Sequence, residues 1–150
     1  MCGITGFLAT KKETDAASMA RIVQSMTRVL RHRGPDDEGI WTDDRAGLAL
    51  GFRRLSILDI SPRGHQPMFS AGGRYVIVFN GEIYNFRELR ARLAGLGHQF
   101  TTGTDTEVIL AGAEQWGADN VPDYLQGMFA YAIWDRAERQ LHLVDCPFET

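Results

Sequence analysis

Cysteine is scarce in this chain. There are two among 150 residues, Cys2 and Cys146. Two cysteines this far apart are neither a disulfide framework nor a metal-ligand pair, so a reducing cytoplasm is the simplest expected compartment. Long apolar runs are missing as well. No stretch approaches the roughly 18 residues of a membrane span. The first residues also lack the basic leader and apolar run of a secretory signal. Basic charge is not in excess: 16 Lys and Arg stand against 19 Asp and Glu, a formal net charge of −3. The local basic run from Arg28 to Arg33 is interrupted by Val29 and Leu30, so a nucleic-acid partner is not expected. The four histidines, His32, His65, His98 and His142, show no ligand spacing, and no metal is expected. There is no internal repeat, no low-complexity tract and no glycine loop of the phosphate-cradling form, so ATP and magnesium have no expected site here.

What is present suits one domain with a substantial core, since 44% of the residues are hydrophobic. Ile4 to Ala9 reads as a strand. A helix capped by Thr14 or Asp15 follows, with Met19, Ile22, Val23, Met26, Val29 and Leu30 on one face. Gly34-Pro35 stops it, and the stretch from Arg31 to Gly39 reads as a charge-dense loop, either a solvated turn or a loop that orders beside an active site, with no chemical role assigned to Gly34 to Asp37. Ala46–Leu50 and Leu55–Leu58 suggest two short strands with Gly51-Phe52-Arg53-Arg54 between them. Tyr75 to Phe79 is a β-branched apolar run, expected to be a strand covered on both faces and to end at Asn80-Gly81. A hairpin turn is the ordinary reading of Asn-Gly, but Glu82-Ile83-Tyr84 is short for a return strand. Asn85 with Glu88, and Thr104 with Glu107, each read as a capping box opening a helix. The first helix would bury Phe86, Leu89, Leu93 and Leu96, and the second would end at Gly117. Met128–Trp134 reads as another covered strand, and Gln140–Val144 as a half-exposed partner through Leu141 and Leu143. Strands arriving in pairs around helices argue for a layered α+β fold with antiparallel sheets.

The chemistry-bearing stretch is Met1-Cys2-Gly3-Ile4-Thr5-Gly6-Phe7. If Met1 is removed, Cys2 carries a thiol (free pKa about 8.5) and an α-amine (pKa about 7.7–8.0) on one residue, a nucleophile beside its own general base. The plain alternative is a small residue at a frayed terminus. Asp105 likewise has a plain alternative, a carboxylate favoured by the positive end of a helix. Arg53 and Arg54 are neighbours, so in an extended chain at most one of them points into any one pocket.

Seven stretches in order, MCGITGF, RHRGPDDEG, RRLSILD, HQPM, NGEIYNF, GTDTEVIL and GMFAYAIWD, resemble the N-terminal glutaminase domain of glutamine-hydrolysing asparagine synthetases, which are class II glutamine amidotransferases. The resemblance runs from residue 1 to about residue 144. It implies the N-terminal-nucleophile hydrolase fold, a four-layer αββα sandwich of antiparallel sheets. It implies that Cys2 attacks the glutamine side-chain amide and that Asn80 and Gly81 form the oxyanion hole. Arg54 would grip the α-carboxylate, Glu82 and Asp105 the α-ammonium, and Leu55, Ser56, Ile57 and Leu58 would line the same pocket. The product would be ammonia, passed to a synthetase domain or chain where ATP and magnesium act. A homodimer is an open expectation. At the end of the chain, Val144-Asp145-Cys146-Pro147-Phe148-Glu149 stands where the family carries a motif resembling Ala-Arg-Asp-Pro-Phe-Gly. The expectation is a domain over 1–150 truncated at its C-terminal strands and lacking the synthetase domain. A non-catalytic, regulatory or assembly module is the alternative.

Overall fold

The computed structural model describes residues 1–11, 14–56 and 61–146. Ile57 and Leu58 therefore lie outside the described residues. The chain divides into two units, Met1–Ile57 with His65–Pro67, and Leu58–Gly64 with Met68–Thr150.

The first unit is a three-stranded antiparallel sheet and one helix. Strand β1 (Gly3–Leu8) and strand β2 (Asp37–Asp43) flank β3 (Leu48–Arg54) in the order β1-β3-β2. Helix α1 (Ala16–Val29) starts where expected, with the Asp15 side chain accepting the Ser18 N–H at 2.7 Å. That bond also holds the Asp15 carboxyl below its usual range. Its buried face is narrower than the apolar spacing suggests. Met19 and Val23 pack on Ala49, with Phe7 and Ile40 alongside, while Ile22 and Val29 are exposed. The third buried position is polar, Thr27, whose hydroxyl is satisfied by Val23 O at 2.7 Å. Thr27 sits against Gly51, where an added Cβ would come within 2.2 Å of the hydroxyl oxygen. The missing side chain at Gly51 lets the helix approach the sheet there.

Two readings from the sequence are corrected here. The charge-dense loop ends early, because β2 already begins at Asp37. The charge belongs to strand pairing: Glu38 lies opposite Arg53 in the ladder, and the two form an ion pair at 2.5 Å. The break placed at Gly51–Arg54 does not exist either. These residues are the second half of β3, every residue of which is buried. Leu55 and Ser56, read as the start of a strand, follow it outside regular structure.

The second unit is a four-stranded antiparallel sheet of β4 (Met68–Phe69), β5 (Tyr75–Ile83), β6 (Gly127–Asp135) and β7 (Gln140–Asp145) in sequential order. Helices α2 (Phe86–Gly95) and α3 (Asp105–Trp116) contribute Leu89, Leu93, Val108 and Ile109 to a core with Ile77, Phe79, Tyr131 and Ile133. Four expectations change. First, β5 does not end at Asn80-Gly81 but runs through to Ile83, paired with β6 along its whole length. Glycine permits this, because Gly81 has φ +144° and a Cβ there would lie 2.1 Å from Met128 O. Second, Asn85 does not cap α2. Its side chain bonds Tyr124 O at 2.9 Å and Gln126 N at 3.0 Å, holding the approach to β6. Third, Thr104 does cap α3 by accepting from Glu107 N, but the Glu107 carboxylate goes to the Thr101 and Thr102 amides, at 2.8 Å each. Fourth, the alternation of β7 is inverted. Register sets Val144 opposite Tyr131 and His142 opposite Ile133, on the helix-covered face, so Leu143 is 74% exposed. Leu96, expected in the α2 stripe, is also exposed.

Candidate functional site

The residues singled out from the sequence fall into two groups, one in each unit. In the first unit they gather where β1 begins and β3 ends. The register pairs Gly3 with Arg53, so Cys2 stands just before the first rung of that ladder and Arg54 just beyond it on β3. The thiol is half-buried and sits on the backbone of Leu55: Leu55 N donates to Sγ at 3.4 Å, and Sγ reaches Leu55 O at 3.7 Å. Arg54 is buried. Arg53, its neighbour, is committed to the scaffold, with Nε donating to Gly34 O at 2.8 Å and Nη1 to Glu38. The alternation along β3 thus assigns one arginine to structure, as extended geometry requires. Ser56 N donates to the Asp36 carboxylate at 2.8 Å.

In the second unit, β5 carries Asn80, Gly81 and Glu82 in succession, and α3 opens with Asp105. Asp105 is 6% exposed, and its Oδ2 accepts the Ile83 N–H at 3.0 Å, which ties the helix start to the end of β5. Burial pushes the Asp105 carboxyl above its usual range. The neighbouring Glu82 charge adds to this, and the amides of Ile83 and Thr106 oppose it. Asp105 is thus a buried carboxylate beside a second, exposed acid, Glu82.

Among the described residues no group of three or more His, Cys, Asp and Glu side chains is placed to hold a metal ion, and no helix is long and apolar enough to cross a membrane. The sequence reading left Gly34 to Asp37 without a role. The structure makes Gly34 and Asp36 direct partners of the segment beside Cys2, through Gly34 O and the Asp36 carboxylate. Two signals in the sequence touched them, their charge density, which a solvated turn would share, and their place in the stretch RHRGPDDEG.

Residues 1–146 match the family model described as a glutamine amidotransferase domain. The chain belongs to this family. Asparagine synthetase B [glutamine-hydrolyzing] of Escherichia coli is 43% identical over 144 residues, covering 96% of this chain and 24% of that protein. Asparagine synthetase [glutamine-hydrolyzing] 1 of Bacillus subtilis is 38% identical over 148 residues, covering 99% of this chain and 23% of the relative. The amidotransferase domain described here therefore spans about a quarter of the length of these relatives. Among solved structures, glutamine phosphoribosylpyrophosphate amidotransferase from B. subtilis, complexed with ADP and GMP, matches with a TM-score of 0.69 at 21% identity, over 90% of this chain and 35% of that one. At that identity the likeness is one of fold, and it agrees with the α+β architecture of antiparallel sheets.

Proposed function

We propose that this amidotransferase domain hydrolyses glutamine to glutamate and ammonia through a thioester on Cys2, and that the ammonia serves ATP-dependent asparagine synthesis in a synthetase domain or chain. The observation that carries the reading is the seat of the Cys2 thiol on the Leu55 backbone, one residue from the buried Arg54, in a chain of this family. After removal of Met1 the Cys2 amine is free to take the thiol proton. The sulfur then attacks the side-chain amide carbon of glutamine. The C–N bond breaks, and the nitrogen leaves as ammonia with the proton returned by the amine. Water, deprotonated by the same amine, attacks the thioester carbon, releases glutamate and restores the thiol.

Asn80 Nδ2 and the Gly81 N–H donate to the tetrahedral oxygen. Loss of one such donor typically costs about 2.7–4 kcal/mol in the transition state. Arg54 takes the α-carboxylate, for which a planar guanidinium is suited, and Glu82 and Asp105 take the α-ammonium. Leu55, Ser56, Ile57 and Leu58 line the pocket. The four-layer αββα sandwich, cytoplasmic localisation and the synthetase partner, with its ATP and magnesium, belong to this same reading.

The test is glutamate and ammonia release from glutamine by the purified chain, with an intact mass on the same sample. Turnover that requires Cys2 and accompanies loss of Met1 supports the proposal. Cys2→Ala is expected to lower kcat by about 10³-fold or more, the scale of losing a nucleophile outright. A correctly processed chain with no Cys2-dependent turnover overturns the catalytic reading and leaves a non-catalytic module.

A further inference from the structure

The thiol of Cys2 touches two backbone groups, the Leu55 N–H and the Leu55 C=O. These belong to two successive peptide planes. The first holds Arg54 C=O and Leu55 N–H, and the second holds Leu55 C=O and Ser56 N–H. One residue grips the far edge of both. Asp36 N donates to Arg54 O at 3.0 Å, and the Asp36 carboxylate Oδ2 accepts from Ser56 N at 2.8 Å. A peptide group is rigid and planar, so fixing one edge of it fixes the other. Asp36 therefore sets the direction of both groups that face the sulfur, although it does not itself touch Cys2.

We propose that Asp36 is a positioning residue for the nucleophile, acting through the two peptide planes that flank Leu55. This rests on the glutaminase reading above and adds to it a residue to which that reading gave no role. When the sulfur is a neutral thiol, Leu55 O accepts its proton. When it is an anion, the Leu55 N–H is the donor that remains. Both need the planes held edge-on to Sγ. The Asp36 bracket is anchored in turn. Arg53 Nε donates to Gly34 O at 2.8 Å, its Nη1 bonds Glu38, and His65 Nδ1 bonds the Asp37 carboxylate at 2.6 Å. The run from Gly34 to Glu38 is thus tied to Arg53 and to His65, and Asp36 is its contact with the two peptide planes that flank Leu55.

The prediction separates the side-chain bond from the backbone bond. Asp36→Ala keeps the amide that holds Arg54 O but frees the Ser56 N–H, so the second plane can turn. Asp36→Glu keeps the charge but moves the carboxylate by a methylene. Asp36→Asn keeps a carbonyl oxygen in the same place. Glutamine turnover is expected to fall about tenfold in kcat for the Ala and Glu variants, with KM changed by less than about threefold, because misplacement by a fraction of an ångström acts on the reacting atoms rather than on glutamine's charged ends. The Asn variant is expected to stay within about threefold of the parent. A second readout needs no turnover. Iodoacetamide labelling of the full chain, followed by mass spectrometry, compares Cys2 with Cys146 in the same molecule. Cys2 should label more slowly in the Ala and Glu variants while Cys146 is unchanged.

If kcat and Cys2 labelling in the Ala and Glu variants both stay within twofold of the parent, the proposal is overturned. An Asn variant as impaired as the Ala variant overturns it too, since charge rather than geometry would then matter. If the parent itself shows no Cys2-dependent turnover, the glutaminase reading fails, and the labelling ratio alone still decides the role of Asp36. Should Asp36→Ala not fold, the Glu variant carries the same prediction.

Discussion

The two units hold their candidate residues by opposite means. In the first, Cys2 and Leu55 lie just outside strands β1 and β3 and are fixed by main-chain bonds at strand ends. In the second, Asn80, Gly81 and Glu82 lie inside β5, and Asp105 is buried at the start of α3. A strand end offers unpaired amides without disturbing the sheet. A strand interior offers rigidity, but here only by accepting an unusual backbone angle at Gly81, and the helix start beside it holds a carboxylate out of water at Asp105. The thiol of Cys2 is thus held by main-chain bonds outside the strands, whereas Gly81 and Asp105 hold their places through a rare backbone angle and a buried carboxylate.

The strongest way to break this comparison is Gly81→Ala. The new methyl would meet Met128 O at 2.1 Å and Phe129 Cα at 2.5 Å, on a backbone with φ +144°. We expect a loss of about 3 kcal/mol or more in unfolding free energy, from steric overlap and backbone strain together, measurable by denaturant titration. A loss under 1 kcal/mol would mean that β5 can bend away, and that the interior of the strand is no more demanding than the end of β3.

Arg74→Ala asks how the second unit behaves at a carboxylate with no assigned chemistry. Asp135 is buried, and Arg74 grips it by two bonds at 2.8 and 3.0 Å, which holds the Asp135 carboxyl below its usual range. The amides of Ala137 and Glu138 also donate to it, and the Arg74 side chain is half exposed. A measurable loss of stability at pH 7 is expected, smaller than for a fully buried pair because solvent screens the arginine. The sign follows from the lowered value. Stability from Asp135 is present above its unfolded pKa, near 3.9, and disappears as pH falls through the folded one. The gap between parent and variant should therefore close below about pH 4, and a gap independent of pH would remove the ion pair as its cause.

Asp105→Asn reverses the sign. Its carboxyl is held above the usual range, chiefly by burial, so its favourable contribution is full only below the unfolded value and is lost as pH rises through the folded one. At pH 7 the ionised group is a cost. An amide that still accepts the Ile83 N–H should raise stability by about 1 kcal/mol at pH 7 and by nothing near pH 3, while weakening use of glutamine. Destabilisation at pH 7 would show that the positive end of α3 stabilises the Asp105 charge more than burial penalises it. Cys2→Ala completes the set with the smallest effect on stability, within about 0.5 kcal/mol of the parent in thermal unfolding. A larger loss would place the thiol among the supports of the first unit.

How far the elements could be read depended on where their partners lie. The cap of α1 by Asp15 and the stop of α3 at Gly117 involve residues within a turn of each other, and both stand as expected. Strand β2 was missed because Asp37 and Glu38 resemble a solvated turn until Arg53 is placed opposite. Asn80-Gly81 resembled a hairpin because the residues that pair with it, Phe129 and Ala130, lie about fifty positions further along. The inverted face of β7 has the same origin, since alternation gives two faces and only register with Tyr131 and Ile133 says which one is covered.

The family, the α+β class, the nucleophile candidate and the candidate residues around it were determined by the sequence, because each rests on residue types and order along the chain. Three things were decided only in the tertiary structure: that Arg53 is bonded into the scaffold while the Cys2 thiol sits on the backbone of Leu55, that Asp105 is buried beside the charge of Glu82, and that Asp36 bonds both peptide planes at the thiol. The reason is physical. Hydrogen-bond direction and the loss of water around a charge depend on groups 15 to 53 residues apart in sequence, and no local pattern of residues encodes them.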